Sequence, residues 1–265
     1  MITVGRTRIY WDETADEYHG SVRISCNDFH LGPLLPGARE LDVLPKRLFG
    51  LQCLELGCGG AQNSVYLARQ GAVCTALDAS PGQLNHARSL AQQHDVNVHL
   101  LCGDLCDVPL AKGAQFDVVH SVFALPFVAD QQRAVREATA RVAPGGLFIL
   151  ATAHPVFTGE WIDLEGEKGL FLENYFLPKQ DTRRTANGLG ETRSQPLPIS
   201  TIVEWLRENG LTIDNLLEPA PLPIPDMTAP DIQARVPYIS PQWLELYGEM
   251  TKFPAAVIYT ARRAA

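Results

Sequence analysis

Short apolar runs alternate with stretches of helical periodicity between residues 51 and 153, and this pattern constrains the fold of the chain most strongly. Each run is apolar nearly throughout, which is typical of strands that helices cover on both faces. Repeated strand–helix units of this kind form parallel sheets. We therefore predict an α/β fold with a doubly wound, mostly parallel sheet. Its first five strands are expected at residues 51–56, 72–78, 96–102, 116–122 and 146–153.

Two helices of this region have recognisable ends. Residues 80–83, Ser-Pro-Gly-Gln, offer an N-cap serine, a proline at the first helical position and a glutamine three residues after the cap. A helix is therefore expected to start directly after Asp78. A second helix, at about 130–142, is expected to end at the breaker cluster Ala-Pro-Gly-Gly of residues 143–146, which turns the chain into the fifth strand.

After residue 153 the strand–helix pattern stops and later resumes. Residues 201–204, Thr-Ile-Val-Glu, are typical of a capping box, and Asn209-Gly210 is expected to close that helix before an apolar run at 211–217. The core of the fold therefore continues on the far side of an insertion.

Three segments lie outside this core. Residues 154–199 are rich in aromatic and acidic side chains, and residues 219–253 contain so much proline that we expect an irregular, ordered lid rather than another domain. The chain is therefore divided into an N-terminal cap (1–48), a core (49–153), an insertion (154–199) and a completion of the sheet (200–265) with the proline-rich insertion at 219–253.

Composition favours one enlarged domain, since 46% of the 265 residues are apolar and are spread along the chain. Thirty acidic and 22 basic residues give a net charge of −8 without a dense basic run, which disfavours a nucleic-acid substrate. Without a signal-like or membrane-spanning apolar run, we expect a cytoplasmic protein that does not bind a membrane. Six cysteines without a CxxC pair are expected to be reduced, and no metal motif is present.

A glycine-rich turn, Glu-Leu-Gly-Cys-Gly-Gly-Ala at residues 55–61, follows the first predicted strand directly. Gly57 and Gly59 let the backbone turn sharply and let a ligand approach without a Cβ in the way. A dinucleotide-binding fingerprint would require a third glycine at position 62, where this chain has Gln62. The turn indicates either a cofactor loop or merely a tight strand-to-helix connection.

Two acidic residues follow the next two strands. Asp78 closes the second strand, where a carboxylate can accept both hydroxyls of an adenosine ribose. Asp104 follows the third strand, where it could accept the exocyclic amine of adenine while Leu105 packs on the ring. The alternatives are a helix-capping or solvent-facing aspartate at 78 and a turn aspartate at 104.

Together with Phe-Asp-Val-Val-His-Ser at 116–121 and Arg-Val-Ala-Pro-Gly-Gly at 141–146, these motifs resemble the class I (Rossmann-like) S-adenosylmethionine-dependent methyltransferases. The layout with Tyr10-Trp11-Asp12 to Tyr18 at the start and His154-Pro155 after the fifth strand resembles the small-molecule branch of that family. The resemblance of the motifs covers about residues 50–153. It implies S-adenosylmethionine as cofactor, S-adenosylhomocysteine as product, and a seven-stranded sheet whose antiparallel last strand lies at 254–262. By this resemblance Glu55, Gly57 and Gly59 hold the methionine portion, Asp78 the ribose, and Asp104 with Leu105 the adenine. Further cofactor contacts are expected from Tyr18, Cys58, Asn63, Ala79, Gln83, Gly103, His120 and Ser121.

The same resemblance implies that the N-terminal segment and the insertion after the fifth strand cover a methyl acceptor. We expect transfer to an oxygen or nitrogen atom of a small molecule by in-line displacement, with His154 and His30 as candidate bases. Tyr18 either closes over the cofactor or simply packs on Trp11, and the aromatic and acidic first insertion hints at a flat or cationic acceptor. The residues expected to contact the acceptor are Tyr10, Trp11, Phe123, Phe127 and Tyr175.

Two other functions remain open at this point. A nicotinamide-dependent oxidoreductase shares the doubly wound sheet, although Gln62 disfavours it. A non-catalytic adenosyl-binding module would use the same cofactor residues without an acceptor. In each case the expected partner is a small molecule, and the chain is expected to be a monomer or a homodimer.

Overall fold

The computed structural model describes residues 4–224 and 235–265. Its α-helices are α1 (Val4–Glu13), α2 (Ala15–Ser21), α3 (Ala38–Leu41), α4 (Gln62–Arg69), α5 (Pro81–Gln93), α6 (Gln131–Ala140), α7 (Ile199–Glu208), α8 (Pro241–Glu245) and α9 (Tyr247–Met250). Its strands are β1 (Arg23–Ile24), β2 (Gln52–Leu56), β3 (Val73–Asp78), β4 (Val98–Cys102), β5 (Phe116–Val122), β6 (Val142–Ala153), β7 (Glu160–Leu164), β8 (Glu167–Phe171), β9 (Asp181–Arg184), β10 (Glu191–Ser194), β11 (Leu211–Leu217), β12 (Tyr238–Ile239) and β13 (Ala256–Arg263).

A seven-stranded sheet forms the centre of the molecule, in the order β11-β13-β6-β5-β2-β3-β4. Strand β13 is antiparallel to both of its neighbours, and the remaining contacts between strands are parallel. The predicted α/β fold with an antiparallel last strand is therefore confirmed. Each of the five apolar runs contains a strand, because strands buried on both faces need apolar residues at successive positions.

Helices cover both faces of this sheet. On one face α4 and α5 pack their buried residues, such as Leu67 and Leu84, against strands β2 and β3. On the other face α6 and α7 contribute Val135, Ile202 and Leu206 to a second apolar cluster. The sheet edge formed by the carboxyl ends of the parallel strands is left for a ligand.

Two local predictions at chain turns are corrected. The breaker cluster at 143–146 lies within β6 rather than before it, because Val142 already pairs with Phe116 and Leu147 with Val118, so the intervening residues form a bulge. Helix α7 begins at Ile199, directly after Pro198, so the capping box predicted at 201–204 lies inside the helix rather than at its start.

The helix start predicted after Asp78 is confirmed. Ser80 caps α5, since its side chain accepts a hydrogen bond from the Gln83 amide, and Pro81 is the first helical residue. The predicted end of α7 is also confirmed: Gly210 follows its C-cap with φ +77°, a left-handed conformation that favours glycine.

The segments outside the core pack around the open sheet edge. The insertion at 154–199 forms two antiparallel hairpins, β7–β8 and β9–β10, and β10 contacts α1. Strand β1 pairs with β12 of the proline-rich insertion. That insertion was expected to be irregular, but Pro241 starts the short helix α8, since proline is tolerated in a first helical turn; its residues 225–234 lie outside the described ranges. Within those ranges, no helix has the length and apolarity needed to cross a membrane.

Candidate active site

A cavity of about 930 Å³ opens at the carboxyl ends of the parallel strands. Its walls include Glu55 at the end of β2, Asp78 at the end of β3, Val122 at the end of β5 and Ala153 at the end of β6. The N-terminal helices and both insertions supply the remaining walls. The fold thus places its ligand site where open α/β sheets ordinarily bind ligands.

The glycine turn after β2 can be built only with glycine at its first position. Gly57 has φ +71°, and a Cβ there would lie 2.3 Å from the Cβ of Ala124. The amides of Gly57 and Cys58 donate to the Leu77 carbonyl at 2.8 and 2.9 Å. These amides are therefore used inside the protein rather than aimed at a phosphate.

Glu55 caps the helix that follows this turn. Its Oε2 accepts hydrogen bonds from the Ser64 amide at 3.0 Å and from the Ser64 hydroxyl at 2.5 Å. Burial raises the pKa of Glu55 to about 7. A carboxyl group thus stands at the helix N-terminus, where dinucleotide-binding folds place a pyrophosphate. This arrangement disfavours a nicotinamide dinucleotide.

Asp78 stands beside the turn with both carboxylate oxygens partly engaged. Oδ2 accepts the Gly59 amide at 2.8 Å and Oδ1 accepts the Ser80 amide at 2.9 Å. Burial raises the pKa of Asp78, and these amide hydrogen bonds oppose that rise. Since a carboxylate oxygen can accept two hydrogen bonds, each oxygen retains acceptor capacity on a residue that lines the cavity.

Asp104 makes a turn contact and also lines the cavity. Its Oδ1 accepts the Cys106 amide at 2.9 Å, which is the turn contact of the alternative interpretation. The residue nevertheless lines the cavity together with Leu105. One oxygen fixes the turn while the carboxylate remains available at the cavity wall.

These residues fit S-adenosylmethionine. The Gly57 backbone has no room for a side chain, and the Asp78 carboxylate can accept hydrogen bonds from hydroxyl groups. Leu105 offers an apolar surface beside Asp104. Of the predicted cofactor contacts, those that line the cavity are Tyr18, Glu55, Gly57, Cys58, Gly59, Asp78, Ala79, Gln83, Asp104 and Leu105.

Four predicted cofactor contacts lie outside the cavity lining. The Asn63 side chain instead holds the backbone of His30, accepting from its amide at 2.9 Å and donating to its carbonyl at 3.0 Å. The Ser121 hydroxyl donates to the Leu56 carbonyl at 2.8 Å. Gly103 packs against Pro109, where a Cβ would come within 2.7 Å.

The fourth of these residues, His120, is fully buried on β5. Its ring lies edge-on to Phe29, with 4.9 Å between ring centroids. Neither ring nitrogen has a hydrogen-bond partner in the part of the chain that the structure describes. Burial lowers the pKa of His120 to about 3. The side chain is a neutral core residue in this geometry.

Aromatic side chains form the cavity wall beyond the cofactor residues. Four of the five predicted acceptor contacts, Tyr10, Trp11, Phe123 and Phe127, line it, and Trp11 meets Phe127 edge-on at 5.1 Å. Tyr175 does not: its hydroxyl accepts the Ile199 amide at 3.3 Å, away from the cavity. The sequence interpretation did not include three further aromatic wall residues, Phe157, Trp161 and Trp243.

The two candidate bases both line the cavity, but they differ in their hydrogen bonds. His154 Nε2 lies 2.7 Å from the Glu218 carboxylate, and its Nδ1 accepts the Val156 amide at 3.1 Å. His30 has a buried Nδ1 that lacks a partner among the described residues. Burial lowers the pKa of both histidines, that of His30 to about 3. Both are therefore neutral, and only His154 has both nitrogens engaged.

Sequence reasoning also missed Tyr238, which lies on β12. Its hydroxyl is 2.8 Å from that of Tyr18, and both phenols line the cavity. Because the two residues are 220 positions apart, no local pattern could pair them. The contact joins the N-terminal cap to the proline-rich insertion over the site.

The first insertion, residues 154–199, is rich in acidic residues, but two of its basic residues line the cavity. Basic Lys179 and Arg183 line the cavity together with Asp181. The expectation of a cationic acceptor therefore loses its basis, because the acidic residues from which it was drawn lie outside the lining: Glu160, Asp163, Glu165, Glu167 and Glu173.

Known proteins resemble this chain in the same region. A family described as a methyltransferase domain matches residues 54–150. The chain is 29% identical to a ubiquinone biosynthesis O-methyltransferase of Coxiella burnetii over 63% of this chain and 65% of that protein, so it spans just under two thirds of that relative. An enzyme of the same name from Methylobacterium sp. is 40% identical over 41% of this chain and 43% of its own. A crystal structure of an S-adenosylmethionine-dependent methyltransferase from Mesorhizobium loti superposes with a TM-score of 0.64 and 26% identity, over 84% of this chain and 95% of that one.

Proposed function

From the class I S-adenosylmethionine-dependent methyltransferase domain that this chain carries, we infer that it is an enzyme that transfers a methyl group to an oxygen or nitrogen atom of a small-molecule acceptor by in-line displacement. One observation carries this proposal. A single cavity joins the glycine turn and Asp78 to a compartment walled by Trp11 and Phe127. A cofactor-binding module without catalysis would have no use for the second compartment. The O-methyltransferase relatives favour oxygen as the accepting atom.

The residues of this chain have mainly to position the reactants. Bound S-adenosylmethionine supplies an electrophilic methyl group on a sulfonium. The glycine turn and Asp78 fix one end of the cavity, while aromatic walls orient a flat acceptor and exclude water. Holding reactants in line in this way lowers a barrier by roughly 7–11 kcal/mol.

An acceptor hydroxyl also has to lose its proton. We assign this task to His30 before His154, because His30 lines the cavity as a neutral imidazole whose ring has no hydrogen bond among the described residues, whereas His154 would first have to break a bond to Val156 or Glu218. A positioned base typically contributes about 10²–10⁴-fold. His154 then serves to hold the end of β6 against Glu218.

Replacing each histidine in turn with glutamine separates the role of base from the structural role. We expect His30→Gln to lower kcat by about 10²-fold, the low end of the range for a general base, with S-adenosylhomocysteine affinity nearly unchanged. His154→Gln is expected to lower the melting temperature more than kcat. Steady-state kinetics on an identified acceptor, with thermal melts of each variant, measure both effects. A larger kcat loss for His154→Gln would reverse the assignment.

Calorimetric titration tests the function itself. We expect S-adenosylhomocysteine to bind and NAD not to bind, because Glu55 occupies the helix terminus that a pyrophosphate requires. Transfer of a labelled methyl group from S-adenosylmethionine to members of a panel of hydroxylated and amino compounds would then establish catalysis. Tight NAD binding would overturn the proposal, and so would cofactor binding with no transfer to any acceptor.

The cavity walls, the cysteines and the net charge also support proposals on the covering segments, the cellular compartment and the type of acceptor. We assign residues 1–48 and 154–199 as covers over cofactor and acceptor, since both contribute to the cavity walls. The six cysteines are all unpaired, which suits a reducing cytoplasm. A small acceptor, rather than a nucleic acid, suits the net charge of −8. Either a monomer or a homodimer can present this cavity.

A further inference from the structure

Neighbouring arginines on strand β9 face opposite sides of the hairpin. Arg183 lines the cavity, whereas Arg184 does not and instead donates to Glu191 at 2.8 Å. Successive side chains of a strand point to opposite faces, so this difference is built into the hairpin. The β9–β10 hairpin therefore presents one particular cation to the site.

Arg183 lies among the phenols of the cavity. Burial raises the pKa of Tyr10, Tyr18 and Tyr238, and the charge of Arg183 opposes that rise in all three. These tyrosines come from α1, α2 and β12, which are distant in sequence. The guanidinium is thus the cation common to the polar part of the acceptor compartment.

The guanidinium is oriented but not fully used. Its Nε donates to Asp181 at 2.7 Å and its side chain also hydrogen-bonds Tyr10; since a guanidinium has five N–H donors, further donors on the terminal amino groups are left for another partner. Its side chain is 43% exposed, so it stands at the opening of the cavity. Arg8 of α1 also lines this opening and has no ion pair within the described ranges. The acids nearby are Asp181, which is already bonded, and Glu17.

Aromatic rings line the same cavity as Arg183. Phe157 and Trp243 stack at 5.9 Å, and Trp11 meets Phe127 edge-on at 5.1 Å. Flat apolar walls next to a cation at the opening match a molecule with a ring at one end and an anionic group at the other. A neutral or cationic acceptor would leave Arg8 without a counter-charge and the remaining N–H groups of Arg183 without an anionic partner.

We propose that the acceptor is a ring-bearing carboxylate, or a compound of the same charge and shape, whose anionic group binds the terminal amino groups of Arg183 with additional attraction from Arg8. The ring then lies between the aromatic walls and presents its hydroxyl group to the interior of the cavity. This assignment rests on the proposed methyl transfer, for which it specifies the class of substrate.

Binding of two isosteric probes tests the assignment. Three of the four tryptophans line the cavity, so quenching of intrinsic fluorescence reports occupancy in protein saturated with S-adenosylhomocysteine. 3,4-Dihydroxybenzoate is expected to bind about tenfold more tightly than 3,4-dihydroxybenzamide, because the carboxylate forms an ion pair with the guanidinium, whereas the amide only accepts a hydrogen bond from it. Arg183→Gln is expected to abolish that difference, and the matched control Arg184→Gln to preserve it.

Each outcome decides the assignment. Equal affinity for the two probes, no binding of either, or an Arg183→Gln variant that still prefers the anion would overturn it. Because Arg183 is exposed at its strand, the variant should melt as the unmodified protein does, which circular dichroism checks. S-Adenosylhomocysteine affinity, titrated separately, is expected to be unchanged in both variants. If the unmodified protein does not bind S-adenosylhomocysteine, that result counts instead against the methyltransferase proposal.

Discussion

Asp78→Ala is expected to weaken S-adenosylhomocysteine binding by about 1–3 kcal/mol, or roughly 5- to 150-fold in Kd. The carboxylate accepts the amides of Gly59 and Ser80 and retains acceptor capacity on the cavity side. If it also accepts the ribose hydroxyls, its removal leaves those hydroxyls unpaired in a site that excludes water. It also leaves the two amides unpaired, so part of the loss comes from a looser glycine turn.

An exposed aspartate provides the control. Asp107 is exposed and does not line the cavity, so Asp107→Ala is expected to leave Kd unchanged. Calorimetry gives the two affinities, and a thermal melt without ligand shows how much the turn itself has loosened. An Asp78→Ala variant that binds S-adenosylhomocysteine as tightly as the Asp107→Ala control would refute the ribose assignment.

The core of the fold could be predicted because its signals are local. A strand buried on both faces is a continuous apolar run, and Ser80-Pro81 marks a helix start within two residues. The errors arose where a second cause competed with the local signal, a neighbouring proline in one case and strand pairing in the other. Pro198 already initiates α7, so the capping pattern that begins at Thr201 was not needed. Pairing with β5 drew residues 143–146 into β6 despite their turn-like composition.

The cavity residues also divide into those that a local sequence pattern predicts and those that tertiary contacts place. Glu55 and Asp78 were recognisable because each lies at the carboxyl end of a strand, and parallel strands end at one edge of the sheet. Tyr238 and Arg183 reach the cavity from insertions whose path over the sheet is set by contacts such as β1 with β12. Strand alternation could have separated Arg183 from Arg184 only if the hairpin had been predicted first. His120 follows a strand pattern but gave no sign of which face of the sheet it would occupy.

Two buried histidines make the stability of this protein sensitive to acid. Burial lowers the pKa of His30 and of His120 to about 3, whereas in the unfolded chain a histidine titrates near 6.5. As pH falls below about 6.5, the unfolded chain takes up protons that the folded protein cannot, so the free energy of unfolding decreases. Glu55 acts in the opposite direction between about 7 and 4.5, because its folded-state pKa is raised. Asp78, whose pKa burial also raises, acts with Glu55, whereas His154 and His19, whose pKa values burial lowers, act with His30 and His120. Four histidines against two carboxylates lead us to expect a net loss of stability in acid.

His120→Leu should remove one of the histidine contributions. At pH 5 the variant is expected to be more stable than the unmodified protein by about 2 kcal/mol. This pH lies about 1.5 units below the unfolded-state pKa of histidine, and each unit corresponds to about 1.4 kcal/mol. At pH 8 the two proteins should differ little, because an apolar side chain of similar size replaces ring nitrogens that have no partner among the described residues. Urea unfolding at both pH values measures the difference. His99→Leu, at an exposed position of β4, controls for the substitution itself. If the stability of His120→Leu falls from pH 8 to pH 5 as steeply as that of the His99→Leu control, His120 is not buried as a neutral residue. A separate titration checks its place in the molecule: unchanged S-adenosylhomocysteine affinity at pH 8 would confirm that His120 lies outside the cofactor site.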